Sequence, residues 1–235
     1  MDIKQFLQQP EIQNLLAEED LDRVYEEYNK VDPLYPYHLT KFFNKIKINP
    51  LNYMTQIPQE MYRTYPNKYI TIPNNIKKIG DYAFSFAKNL ETITIPDNCK
   101  TICEGAFFKC SNLKIINLPS DIRYLGPGAF CGCSSIESFI IPDSITIIYD
   151  NLFKSCTNLK HVIIPDSITR IDGRAFSNCP NLKNITIPDS VTDIDTHQPD
   201  FPGSAFDRDT ITIKCKENSY AHKYAIENDI KFELI

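Results

Sequence analysis

Eight cysteines are the most reactive side chains in this 235-residue sequence, and four of them, Cys110, Cys133, Cys156 and Cys179, return every 23 residues. A structural metal site gathers its ligands in closely spaced pairs, and an interval of 23 does not supply them. The interval suits a ladder of small buried thiols, because free cysteine packs as a small hydrophobe. Ala87 stands in the same slot one interval earlier, so the slot asks for small size rather than for sulfur. Disulfides or a metal are the competing uses of these thiols. Cys131 and Cys133 form a Cys-x-Cys pair, but Cys133 already belongs to the ladder. A ladder thiol would be a poor nucleophile, since an apolar burial site raises its pKa.

Oxygen ligands are the second possibility. Asp193, Asp195, His197 and Asp200 cluster near the end of the repeats, with Asp207 and Asp209 following. Oxygen-rich loops take calcium, yet D-I-D-T-H-Q-P-D lacks the central glycine and distal glutamate of a calcium-binding EF-hand loop. A solvated acidic loop is the expectation. The four histidines, His38, His161, His197 and His222, fall in unrelated segments. There is no GxSxG, no glycine-rich phosphate loop, no HExxH and no Cys-His nucleophile arrangement. Neither an enzyme nor a cofactor is expected.

The elements that would position these residues are repeats. An Ile/Leu-Pro dipeptide recurs six times at the same interval, with prolines at Pro73, Pro96, Pro119, Pro142, Pro165 and Pro188. The common frame reads N-L-x-x-I-x-I-P-D-S-I-T-x-I-x-x-x-A-F-x-x-C-x. L-x-x-I-x-I predicts a short strand with alternate residues inward. Proline ends it, and Asp-Ser after it is turn chemistry. Ile-Thr-x-Ile predicts a second extended segment, as with Ile145 and Ile148 or Ile168 and Ile171. Phe84, Phe107, Phe130, Phe153 and Phe176 place one large ring inside each coil, with Met61 in that slot of a decayed first unit. The asparagine of Cys-x-Asn-Leu is suited to bond backbone groups in the closing bend. One such unit cannot bury its apolar side alone, so the units must stack.

This frame resembles the BspA-like leucine-rich repeat, and the match runs from about residue 57 to the end. The resemblance implies an α/β repeat solenoid: a curved right-handed array with a parallel sheet on its concave side. It brings no catalytic residues. The expected organisation is a helical N-terminal cap or docking segment over residues 1–56, the solenoid over 57–214 and a helix-strand cap over 215–235. Within the first segment, Leu21, Val24, Tyr25 and Tyr28 predict one amphipathic helix. Leu39, Phe42, Phe43 and Ile46 predict another, and Pro10 introduces a short third. Ser219 to Asn228 predicts a C-terminal helix followed by a strand. Between Ile194 and Phe206 the last full repeat carries 7 residues more than the frame allows. Insertions of this kind often map to the binding face, but tolerated insertion explains it equally well.

In a leucine-rich repeat the outward strand residues face the concave side. Here they form two columns: Tyr69, Thr92, Ile115, Ser138, His161, Asn184, and Thr71, Thr94, Asn117, Ile140, Ile163, Thr186. Ile115, Ile140 and Ile163 would form an apolar patch, rimmed by His161, Ser138, Asn117 and Asn184, of the kind that marks an interface. The strand preference of isoleucine accounts for them equally. His197, Asp200 and Phe201 in the insertion are the second candidate surface. The column Lys68, Glu91, Lys114, Glu137, Lys160, Lys183 reads as solubility and stacking register.

A net charge of -5 argues against a nucleic-acid partner. No run of about 20 apolar residues offers a membrane span. The N-terminus has no cationic and apolar leader, so a cytoplasmic setting is expected. Members of the resembling family occur in host-associated bacteria, protozoan parasites and some large bacteriophages, typically in adhesion or interaction. The expected partner is a protein. The leading expectation is an effector or a phage-encoded modulator of a host protein. The alternative is an assembly or attachment component that docks through the N-terminal helices. The sequence leaves the oligomeric state open.

Overall fold

A computed structural model describes residues 3–18, 20–31, 39, 49–195 and 204–235. The expected helix from His38 to Ile48, and with it Phe42 and Phe43, lies outside these residues apart from Leu39, which is buried. So do His197, Asp200 and Phe201 of the insertion.

Each 23-residue unit forms one coil with two short strands. The I-x-I segments make the first ladder: Tyr69–Thr71 (β2), Thr92–Thr94 (β4), Ile115–Asn117 (β6), Ser138–Ile140 (β8), His161–Ile163 (β10) and Asn184–Thr186 (β12). Thr212–Cys215 (β14) and Lys231–Leu234 (β15) extend it, pairing in parallel with β12 and with each other. The Thr-x-Ile segments make the second: Gln56–Ile57 (β1), Lys78–Ile79 (β3), Thr101–Ile102 (β5), Tyr124–Leu125 (β7), Ile147–Ile148 (β9), Arg170–Ile171 (β11) and Asp193–Ile194 (β13). All pairings are parallel, and within the regular coils they keep the repeat register, for example Thr92↔Ile115 and Ile102↔Leu125.

The residues between the strands explain the coil. After each Ile/Leu-Pro, the amide three residues on donates back to the proline carbonyl, from Ile76 to Pro73 at 3.1 Å through Val191 to Pro188 at 3.1 Å. Proline thus ends each first strand and opens a β-turn that leads to the second. Ser144 Oγ and Ser167 Oγ in that turn donate to carbonyls of the preceding coil, Ile122 at 2.5 Å and Ile145 at 2.7 Å. Asn89 Nδ2 and Asn181 Nδ2 do the same in the closing bend, onto Pro66 and Thr157 at 3.0 and 2.7 Å.

Phe84, Phe107, Phe130, Phe153, Phe176 and Phe206 stack face to face through the centre, with centroids 5.5 to 5.7 Å apart. Such contacts add to the area the rings already bury. At the start of the stack the expectation fails by one residue. Met61 is buried, but Tyr62 lies on Phe84 at 5.3 Å and 12°. The cause is a shortened first unit: β1 pairs with β3 at an offset of 22, not 23.

Two residues per coil sit in the left-handed region. One set is Tyr82, Gly105, Gly128, Asn151 and Arg174; the other is Phe86, Lys109, Gly132, Ser155 and Asn178. This conformation turns amides onto the next coil: Tyr82 to the Glu104 carbonyl at 2.8 Å, Lys109 to Cys131 at 2.7 Å, Ser155 to Ser177 at 2.9 Å. At Gly105 (φ 55) a Cβ would meet the Tyr82 ring at 2.3 Å, so a side chain there would have to displace that ring.

Helices lie at both ends. Ile3–Leu7 (α1), Pro10–Ala17 (α2) and Leu21–Val31 (α3) precede the array, with Pro10 in the first turn of α2 where its missing N–H costs nothing. Phe6, Val24, Tyr25 and Tyr28 are fully buried, and Phe6 meets Tyr28 edge-on at 5.0 Å. Asp22 accepts from both the amide and the hydroxyl of Thr55, at 2.8 and 2.6 Å. Tyr220–Glu227 (α4) follows β14, and its N-cap Ser219 accepts from the His222 amide at 3.1 Å.

The ladders are interrupted. Main-chain pairing in the first ladder stops between β6 and β8 and again between β10 and β12; in the second it stops between β7 and β9. β10 and β12 stay close to each other, whereas β6 and β8 make fewer close approaches than the other neighbouring strands of the ladder. At the β6–β8 boundary both ladders open together, while the ring stack and the left-handed turns run on unbroken.

Candidate functional site

The outward face of the first ladder carries the side chains singled out from the sequence. Ile115, Ile140 and Ile163 are 53%, 66% and 58% exposed. Alternation along each strand puts them there, because their neighbours Phe139 and Val162 point into the core. Register sets Ile163 beside Ile140 and His161 beside Ser138. Ile115 lies in the neighbouring column, across the open boundary. Ser138, His161, Asn117 and Asn184 are exposed around them. Asn117 Nδ2 donates to Thr94 Oγ1 at 3.2 Å, which turns it away from the isoleucines. Tyr69, 64% exposed at the head of the column, belongs to the same face.

The charged column beside the patch is partly paired. Lys68 meets Glu91 at 2.7 Å and Lys160 meets Glu137 at 2.9 Å. Hydrogen bonds from these lysines hold both glutamates below the usual carboxylate range, and Glu91 raises Lys68.

The other candidate groups are elsewhere and are engaged in structure. All eight cysteines are free, and the ladder thiols donate to ring-residue carbonyls of the preceding coil: Cys110 to Phe84 at 3.0 Å, Cys133 to Phe107 at 3.1 Å, Cys156 to Phe130 at 3.2 Å, Cys179 to Phe153 at 3.1 Å. Burial pushes Cys133 and Cys156 well above the ordinary thiol range and Cys179 up to about 12. A thiol so placed holds its proton and presents no nucleophile.

The acidic cluster is not simply solvated. Asp195 accepts from the Ala205 amide at 2.7 Å and from the Tyr224 hydroxyl of α4. Burial raises its carboxyl, with those two hydrogen bonds opposing. Asp207 accepts from the amides of Asn178 and Cys179, each at 2.8 Å. These carboxylates fasten the ends of the insertion to the array. At the edge of the ring side, Asp150 and Asp172 are buried beside Arg174 (3.6 Å) and Arg170 (2.8 Å), and burial raises Asp150. Among the described residues no group of three or more His, Cys, Asp or Glu is placed to hold a metal.

The comparisons match this geometry. The family model for the BspA type leucine rich repeat region fits the sequence in six copies, over residues 55–139 and 81–198. The chain belongs to the BspA-type leucine-rich repeat family. Among solved structures it is similar to a leucine rich cell surface protein from Faecalibacterium prausnitzii A2-165, at 28% identity and a TM-score of 0.54. That match covers 69% of this chain and 43% of the other, so the chain spans less than half of that relative. It is also similar to a leucine rich repeat protein from T. pallidum, at 19% identity and a TM-score of 0.55, covering 77% and 79% of the two chains; this likeness concerns the fold. A comparison with curated proteins finds no match. BspA-type solenoids, like leucine-rich repeat arrays in general, are protein-interaction scaffolds. Among the described residues, no helix is long and apolar enough to cross a membrane.

Proposed function

We propose that this BspA-type solenoid is a non-enzymatic binding module that holds a partner protein on the outward face of the first ladder. The observation that carries the reading is three isoleucines, each more than half exposed, on three successive rungs. Ile140 and Ile163 form the apolar centre with Ile115, and Ser138, His161, Asn117 and Asn184 form the polar rim. A rigid preformed face loses little ordering entropy on association. His197, Asp200 and Phe201 of the insertion are assigned a second contact. The free thiols support a cytoplasmic setting, and the role that fits it is an effector or modulator of the protein held.

The test compares affinity capture by the wild type with capture by an Ile140→Asp, Ile163→Asp double variant of unchanged circular dichroism. A protein held by the first and released by the second establishes the face. One held equally by both removes it.

A second reading, attachment within a surface assembly, is favoured by the likeness to a cell surface protein. It requires contacts through the N-terminal segment. Substituting Phe42 and Phe43 would then abolish assembly while sparing the fold, whereas in a cap it would unfold the first coils.

A further inference from the structure

The boundary between β6 and β8 departs from the protein's own repeat. The amide of Leu118 corresponds to those of Ile72, Ile95 and Ile141, which donate to the next coil at 2.9, 3.0 and 3.1 Å. The amide of Ser138 corresponds to those of Thr92, Ile115 and His161, which donate to the preceding coil at 3.1, 3.2 and 3.3 Å. Among the described residues, neither Leu118 nor Ser138 has a main-chain acceptor. Two parallel strand edges therefore face each other across an opening of about 690 Å³. That volume lies within the ~300–1,000 Å³ of ordinary ligand pockets. Where neighbouring coils pair, such edges are consumed; left unpaired, they are templates for another strand.

One side chain sets this coil apart. Where Ile93, Ile116, Val162 and Ile185 point inward, this coil has Phe139. Its ring lies 5.2 Å from Phe130 and 4.7 Å from Phe153. A third ring wedged against two members of the stack exceeds the room an isoleucine needs, and overfilled cores shift backbone. The turns on the ring side stay bonded across the same boundary.

Charge identifies what fits. Lys114 stands at one mouth, where β6 begins, between the paired Lys68–Glu91 and Glu137–Lys160, and itself has no ion pair among the described residues. Asp143, exposed and without an ion pair among the described residues, stands at the other mouth, just past β8. Ile115 and Ile140 flank the opening.

We infer that this opening takes an extended peptide of the partner protein, parallel to β6 and β8, with an acidic residue beside Lys114, β-branched residues between the strands and a basic residue beside Asp143. Its carbonyls would accept from both Leu118 and Ser138, completing the rung. The inference rests on the reading of this face as the protein-binding one.

The probe is a fluorescein-labelled synthetic heptapeptide, Glu-Thr-Ile-Thr-Ile-Thr-Lys, beside its charge-reversed counterpart, followed by anisotropy. The expected result is saturable binding, about 3- to 10-fold weaker for the reversed peptide. Slowed hydrogen exchange at Leu118 and Ser138 should accompany it. Phe139→Ile, which restores the residue of the other coils and lets the rung close, should abolish binding with circular dichroism unchanged. Lys114→Glu, which leaves the core untouched, should erase the preference between the two peptides, and Lys114→Glu combined with Asp143→Lys should reverse it. Absence of saturable binding to wild type, or equal binding by Phe139→Ile, overturns the inference. An Ile163→Asp variant separates the two readings: it should leave peptide binding intact while weakening capture of the whole partner. Loss of captured protein without any peptide binding would therefore sink the strand-insertion idea alone.

Discussion

The side chains of the stack have sharply different tolerances. Phe130 lies between Phe107 and Phe153, at 5.5 and 5.7 Å, and also touches Phe139. Truncating it leaves a cavity that its rigid neighbours cannot fill. We expect Phe130→Ala to cost about 3–5 kcal/mol, read as a shift of the urea midpoint. Cys133→Ala should cost only about 1 kcal/mol, because one thiol hydrogen bond is lost and the first coil already lives with Ala87 in that slot. In native protein at mildly alkaline pH, a maleimide should reach half-buried Cys131 before Cys133, Cys156 or Cys179, which react only on unfolding. Mass spectrometry of the labelled sites checks the order. These residues were legible in the sequence because a strict period places each one by counting. Tyr62 was not, since the first unit lost one residue and counting pointed to Met61. Phe139 escaped notice for another reason: it satisfies the apolar pattern, and only its size against Ile93, Ile116, Val162 and Ile185 marks it.

Among the elements, the closing helix α4 is tied to the array by Tyr224 and Asp195, a pairing 29 residues apart in sequence that no repeat frame reveals. The same contact answers to pH. Burial raises the Asp195 carboxyl in the folded protein above its value in the unfolded chain. The folded state then binds the proton more readily, so this group's contribution falls as pH rises from the ordinary carboxylate range through the raised value. Asp195→Asn should remove that part of the pH dependence, seen when urea midpoints of the two proteins are compared across mildly acidic pH. Ser219→Ala should cost the same helix about 1 kcal/mol by removing its cap, without altering the pH slope. The strands themselves and their outward columns were readable from alternation alone. The breaks in their pairing were not, because hydrogen bonding depends on how neighbouring coils sit and not on which residues face out.

At the scale of the whole molecule, stability in a stacked array is a sum of coil and interface terms. The weakest interface is the boundary between β6 and β8, where both ladders lapse and the ring stack alone is continuous with the turns. Unfolding should begin to separate there. Native-state hydrogen exchange is expected to show two blocks, one ending near β7 and one beginning near β8, with distinct opening free energies. Phe139→Ile should merge them into one steeper transition. A single exchange class in the wild type would show that the stack by itself couples the halves fully.

The left-handed turns have a bearing on how far this chain is from its own optimum. Of the ten such positions in the five central coils only three are glycine; Arg174, Lys109, Phe86 and others hold a conformation that L-residues adopt at a cost of about 1–2 kcal/mol. The strain is repeated along the array, so an engineer could relieve it one coil at a time. Glycine at a position such as Ser155, whose side chain holds no buried charge, is expected to raise the unfolding temperature, whereas at Arg174 the gain is offset because buried Asp150 loses its partner.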